Sequence, residues 1–209
     1  MKQLSTNKWT SKDFLRKDMK WWDPDENDPF MLDQIKVLKN ILGETVPNLV
    51  EIGIGRGRIT SLLMEYAEQL FGLEINFEAI RLTQHRVPKA TLIQGDAQEL
   101  PFRNESIDRI VCWETFMHLS SPELFFQESY RVLKHEGRLI FNFLRSGSRG
   151  HRRFLLRRIK HAVICNDWLP HYHFDNLKHV IDTSESFGFR RTHLFMEATR
   201  VPILSFRKD

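Results

Sequence analysis

Leu49-Val-Glu-Ile-Gly-Ile-Gly-Arg-Gly-Arg-Ile59 decides how this chain is read. Val50 and Ile52 suit a buried strand, three alternating glycines follow, and Ile59, Leu62, Leu63 and Tyr66 then recur at helical spacing. The stretch predicts a strand, a tight glycine turn and a helix start. Such a turn lets bare backbone approach a ligand, and the first turn of a helix offers unbonded N–H groups. The dinucleotide fingerprint G-x-G-x-x-G fails here. Started at Gly53 it needs glycine or alanine where Arg58 stands, and started at Gly55 it needs one where Thr60 stands. What remains is E-x-G-x-G-x-G, with Glu51 inside the strand.

Downstream, residues 68–74 read as a second strand ending on Glu74. That acid falls about 20 residues past the glycines, where a dinucleotide fold places the carboxylate that binds a ribose diol. Asn76 can cap a helix from Phe77 to about His85. Thr91-Leu-Ile-Gln-Gly95 is a third strand, followed by Asp96-Ala-Gln-Glu-Leu-Pro-Phe102. Residues 107–111 form a fourth strand leading into Cys112-Trp-Glu-Thr-Phe-Met-His-Leu119, where His118 reads as a structural residue pinning the turn. A helix follows from Pro122 to Leu133, then a fifth strand over Arg138–Phe143. The chain closes with a helix over about 176–185 and an antiparallel pair, Phe189–Met196 and Pro202–Phe206.

Upstream, Phe14, Leu15, Met19 and Trp22 have roughly helical spacing behind a cap at Ser11. A second helix starts with Asp28 as cap and Pro29 in first position, carries Met31, Ile35, Leu38 and Leu42 as its apolar stripe, and stops at Gly43. Trp9, Trp21 and Trp22 read as anchors of this N-terminal flap, with Trp21 or Trp22 as an alternative roof for a pocket. Five strand–helix units and a terminal β-pair predict an α/β fold, an open, mostly parallel sheet with helices on both faces. The 209 residues fit a single domain divided into a helical flap (1–44), a ligand-binding core (45–145), a basic insertion (146–174) and a C-terminal helix with its β-pair (175–209).

Composition is that of an ordinary globular chain. No apolar run reaches the length of a membrane helix, and residues 1–20 lack the apolar region of a secretory signal. Cys112 and Cys165 show neither metal nor disulfide spacing, which fits a reducing cytoplasm. Net charge is +4, yet residues 137–166 contain no acid and hold Arg138, Arg145, Arg149, Arg152, Arg153, Arg157, Arg158 and Lys160. Without those eight cations the rest of the chain is acidic. Leu155, Leu156, Ile159, Ala162 and Val163 make Arg152–Cys165 an amphipathic basic helix by pattern.

The E-x-G-x-G-x-G turn and the Gly95-Asp-Ala-x-x-Leu-Pro-Phe102 run together resemble class I S-adenosylmethionine-dependent methyltransferases, in particular their type 11-like small-molecule subgroup. The segment Cys112–Leu119 and the turn 131–137 are similar too, although His135 and Glu136 replace the proline and first glycine of the family's R-x-L-K-P-G-G. The resemblance implies a Rossmann-like sheet and S-adenosyl-L-methionine as cofactor. It implies that Glu51 steers the amino end of the cofactor while Gly53, Gly55 and Gly57 leave room for methionine and ribose. By the same likeness Glu74 takes the ribose diol, Ile75 lies beside the adenine, Asp96 and Ala97 contact the base, and Trp113 and Glu114 flank the methionine part.

His171 and His173, with Tyr172 between them, lie in a loop the family often turns toward substrate, and histidine suits general-base work near neutrality. A metal at His-x-His lacks an evident third ligand. The acceptor reads as a small molecule, with RNA or an anionic membrane surface as alternatives through Arg152, Arg153, Arg157 and Arg158. Against RNA, no separate RNA-binding module is visible, and no Asn/Asp-Pro-Pro-Tyr follows the fourth strand. Neither cysteine follows a proline, which excludes a cytosine C5 nucleophile of the Pro-Cys type. Oligomeric state is not legible.

Overall fold

The computed structural model describes residues 29–146, 174–197, 199 and 201–209. The expected helix behind Ser11, the tryptophan anchors, the basic helix, and His171, Tyr172 and His173 all lie outside the described residues.

Helix α1 (Pro29–Leu42) begins on its proline and ends at Gly43, whose φ of 63° is the left-handed stop expected there. Strand β1 (Val46–Ile52) leads through the glycine turn to the short helix α2 (Arg58–Leu63). Then come β2 (Ala67–Glu74), α3 (Phe77–Arg86), β3 (Thr91–Gln94), β4 (Ile107–Cys112), α4 (Pro122–Val132) and β5 (Leu133–Asn142). Asn76 caps α3 by accepting from the Glu78 and Ala79 N–H groups, and Ser121 caps α4 ahead of its first-turn proline. Two-residue strands β6 (Leu144–Arg145) and β7 (Phe174–Asp175) pair with each other, and α5 (Leu177–Ser186), β8 (Phe189–Phe195) and β9 (Ile203–Lys208) complete the chain.

The seven-stranded sheet has the order β3-β2-β1-β4-β5-β9-β8, parallel from β3 to β5 and antiparallel at β9 and β8. Alternation along each strand sorts the core onto two faces. Ile110 and Cys112 of β4, with Leu139 and Phe141 of β5, join Phe116, Phe125, Phe126 and Phe206 on the side of α4 and α5. Val111 and Trp113, with Ile140, face α1 and α2, where Leu38, Ile41, Ile59 and Leu63 pack. Phe116 stacks on Phe141 at 4.8 Å between ring centroids, and Phe141 on Phe206 at 5.9 Å, so the turn after β4 is fixed by aromatic packing.

Three details depart from the sequence reading. No helix joins β3 to β4 among the described residues: residues 95–106 hold turns and bends, so the third of the five expected strand–helix units lacks its helix. Strand β5 begins at Leu133, five residues early, and passes an irregularity where Glu136 adopts φ 64° at the family's glycine position. The β6–β7 pair has no periodicity to announce it.

Candidate active site

Strand order reverses between β1 and β4, and ligands of such sheets bind at the carboxyl ends of strands beside that switch. The glycine turn stands there. Gly53, Gly55 and Gly57 have φ of 77°, 51° and 79°. A Cβ on Gly53 would fall 2.0 Å from Thr115 Oγ1, and one on Gly57 would fall 2.7 Å from Thr83 Cγ2. Backbone conformation and close approach therefore both demand glycine. The same threonines hold the turn. Thr83 Oγ1 donates to the Gly55 carbonyl at 2.9 Å, and Thr115 Oγ1 lies 3.3 Å from the Gly53 carbonyl and 3.1 Å from that of Trp113.

Glu74 ends β2 directly beside this turn. Its two oxygens accept the Gly55 and Asn76 N–H groups, each at 3.0 Å. Each oxygen keeps a second lone pair, so the carboxylate is oriented yet still able to accept two neighbouring hydroxyls. Burial raises its pKa above the ordinary carboxylate range, and the N–H bonds from Asn76 and Gly55 pull part of the way back.

Glu51 is buried within β1, and its Oε2 has no hydrogen-bond partner. Burial is the main reason its pKa is pushed up to about 8. Thr60 and Arg58 lower it in part, and the charge on Glu74 adds to the rise. Thr60 Oγ1 closes no hydrogen bond of normal geometry, so it relieves Glu51 only as a nearby dipole. Two buried acids with an unmet oxygen between them suit a cationic ligand group.

On the other wall, Trp113 is buried among α1 and α2 and its indole Nε1–H has no acceptor among the described residues. Glu114 adopts φ 52°, pairs with Arg58 at 3.1 Å, and donates its backbone N–H to Asn142 Oδ1 at 2.6 Å. Asn142 in turn donates to Gln34 Oε1 of α1 at 3.1 Å, and both amides are buried. Asp96 is half-buried. Its Oδ1 accepts from the Gln98 backbone and side chain at 2.9 and 3.1 Å, while Oδ2 makes no hydrogen bond among the described residues. Gln98 Oε1 then accepts from Ser120 Oγ and the Ser121 N–H, tying the turn after β3 to the start of α4. The Gly95 N–H donates to the Glu74 carbonyl at 3.0 Å, which joins the ends of β2 and β3. Ile75 and Ala97 lie half-buried beside them.

The structure therefore gathers Glu51, Gly53, Gly55, Gly57 and Glu74 around one turn. Glu114 joins them through Arg58, and Asp96 and Ala97 flank the neighbouring strand end. Thr83, Thr115, Gln98, Asn142 and Gln34 were not legible as site residues. Only Arg58 left a trace in the sequence, as the residue that breaks the dinucleotide pattern. Buried Cys112 has its thiol pKa raised by burial and then by Glu51, so it is a core residue and no nucleophile. Among the described residues no group of His, Cys, Asp and Glu could hold a metal ion, and no helix is long and apolar enough to cross a membrane.

Residues 50–141 match the family described as Methyltransferase domain. The chain is 23% identical over 159 residues to an uncharacterized methyltransferase of Oceanobacillus iheyensis, covering 74% of each. It is 30% identical over 107 residues to the demethylmenaquinone methyltransferase of Thermotoga maritima, covering 50% of this chain and 47% of that one. The chain thus spans about half the length of the second relative. A crystal structure from Thermotoga maritima, described as a SAM-dependent methyltransferase and possible histamine N-methyltransferase, superposes with a TM-score of 0.68 at 22% identity, over 85% of this chain and 88% of that one. An orphaned buried acid, a carboxylate pinned by two backbone N–H groups and a turn cleared of Cβ atoms stand together at this strand end. Residues 50–141 are thus similar to a methyltransferase domain, carried on a fold shared with solved S-adenosylmethionine-dependent methyltransferases.

Proposed function

We propose that this enzyme transfers the methyl group to an N, O or C nucleophile of a small-molecule acceptor of anionic character. The observation that carries the donor half is the glycine turn shared by oriented Glu74 and unpartnered Glu51. In this reading Glu51 receives the amino group, Gly53, Gly55 and Gly57 make room for methionine and ribose, and Glu74 accepts both ribose hydroxyls. Ile75 lies along the adenine, Asp96 Oδ2 accepts from the adenine amino group with Ala97 beside it, and Trp113 and Glu114 bound the methionine end. When bound, the donor supplies a methyl group already activated on a sulfonium, so the chain mainly orients the two reactants.

On the acceptor side, His171 or His173 removes the acceptor's proton with Tyr172 beside them, and the basic 146–174 segment favours an anion. The relative named for demethylmenaquinone and the structure described as a possible histamine N-methyltransferase support acceptors of small size. Thermal unfolding with S-adenosylhomocysteine, with NAD and with neither tests the donor half. At about 100 times its dissociation constant the homocysteine product should stabilise by roughly 2.7 kcal/mol, a shift of several degrees, while NAD gives none. No shift with S-adenosylhomocysteine would sink the site assignment. Full turnover in both His171→Ala and His173→Ala would remove the base.

A further inference from the structure

The amino edge of the sheet, opposite the glycine turn, carries a row of arginines. Strand register pairs Arg109 of β4 with Arg138 of β5, Arg138 with Arg207 of β9, and Arg207 with Arg190 of β8. Residues paired in this way project from one face, and strands lie about 4.8 Å apart, so the row is about 14 Å long. The face is the one that α1 packs against, since Arg109 also pairs with Leu49 of β1.

Like charges directly opposite one another destabilise a sheet. Acids compensate the outer half of this row. Glu136 pairs with Arg207, while Asp209 meets Arg190 Nε at 3.1 Å and lies 3.8 Å from Arg207. The inner half has no ion pair among the described residues, and Asp108 acts on Arg109 only through its charge. Arg109 is buried, donates Nη1 to the Glu44 carbonyl at 3.1 Å, and leaves Nε without a partner. Arg207 Nε is likewise buried and unpartnered. Arg138 is half-buried between them and makes no hydrogen bond or ion pair among the described residues. Glu136, two residues before Arg138, is taken by Arg207, and Asp108, next to Arg109, is engaged by Lys134 at 2.8 Å and by the Asn48 N–H at 2.9 Å. Burial and the Arg138 charge lower the Arg109 pKa to about 10.

We propose that Arg138, flanked by Arg109 and Arg207, forms an anion site at the amino edge of the sheet that takes a phosphate group. Four arginines against Glu136 and Asp209 leave a surplus of two positive charges, which a phosphate dianion matches. Its oxygens can accept from several N–H forks at once, which a chloride ion, as a point charge, does not exploit. The site is independent of the donor pocket, because it lies at the other end of the strands.

The test is calorimetric titration of the full chain with inorganic phosphate and, separately, with glycerol phosphate, at an ionic strength held constant with sodium chloride. Wild type should bind one phosphate group. Arg138→Gln should weaken it at least about tenfold, Arg138→Lys should retain part of it, and Arg190→Gln should bind nearly as wild type does. Unchanged S-adenosylhomocysteine affinity in every variant confirms that the chain is folded. Tighter binding of glycerol phosphate would identify a phosphomonoester, and the reverse order the free ion. Equal phosphate binding by wild type and Arg138→Gln, or binding no tighter than chloride's, would overturn the proposal.

Discussion

Glu51 is the buried acid of the proposed donor site whose Oε2 has no hydrogen-bond partner among the described residues. Its pKa is near 8 in the fold against 4.5 for a free carboxyl, so the folded chain holds its proton more tightly than the unfolded chain does. Stability from this group is complete below about 4.5 and is lost as pH rises toward 8, by at most about 5 kcal/mol at full titration. Urea unfolding from pH 5 to 9 should show that decline in wild type. In Glu51→Gln the slope should flatten, with greater stability at pH 9. Binding runs the other way. A cationic ligand needs the carboxylate, so donor affinity should climb with pH to about 8 and then level, with proton release visible by calorimetry in buffers of different ionisation enthalpy. An equal slope in Glu51→Gln would place the titration elsewhere. The same carboxyl that weakens the empty protein in alkali is thus the one proposed to receive the donor's amino group.

At the scale of elements, α1 reaches the site by packing on Trp113 and through a pair of buried amides. The buried path Gln34–Asn142–Glu114 links the first described helix, the end of β5 and the strained turn after β4. Asn142→Ala would strand a buried N–H and a buried carbonyl oxygen, at about 2–3 kcal/mol in urea unfolding. Because Glu114 and its Arg58 partner border the pocket, S-adenosylhomocysteine should also bind several-fold more weakly. Unchanged affinity would confine Asn142 to stability. Most elements were legible in the sequence because periodicity and caps are local: Pro29, Asn76, Gly43 and the glycine turn all stand where the chain needs them. The amide path was not legible. Gln34 and Asn142 lie 108 positions apart, and each alone looks like a polar intrusion in an apolar element. The early start of β5 was hidden for a similar reason, since Lys134-His-Glu136 interrupts the alternation that signals a strand. Of the proposed donor site, the glycine turn and Glu74 stood out by spacing and the other acids by resemblance, whereas the threonines that hold the turn depend on tertiary approach.

Across the whole molecule, the last strand in sequence lies inside the sheet. β9 bridges β5 to β8, and Phe206 completes the aromatic stack on Phe141. A chain ending at position 200 should lose its cooperative thermal transition, followed by circular dichroism. A retained transition would show that β1 to β5 fold unaided. The β6–β7 pair acts on the same scale. It sets Leu144 beside Phe174 and Arg145 beside Asp175, so residues 147–173 depart and return at one place. Closing a loop whose ends are already joined depends on the logarithm of its length, about 0.6 kcal/mol for each doubling. A change in the number of residues between those two short strands therefore leaves the register of the seven-stranded sheet as it is, because β6 and β7 pair only with each other.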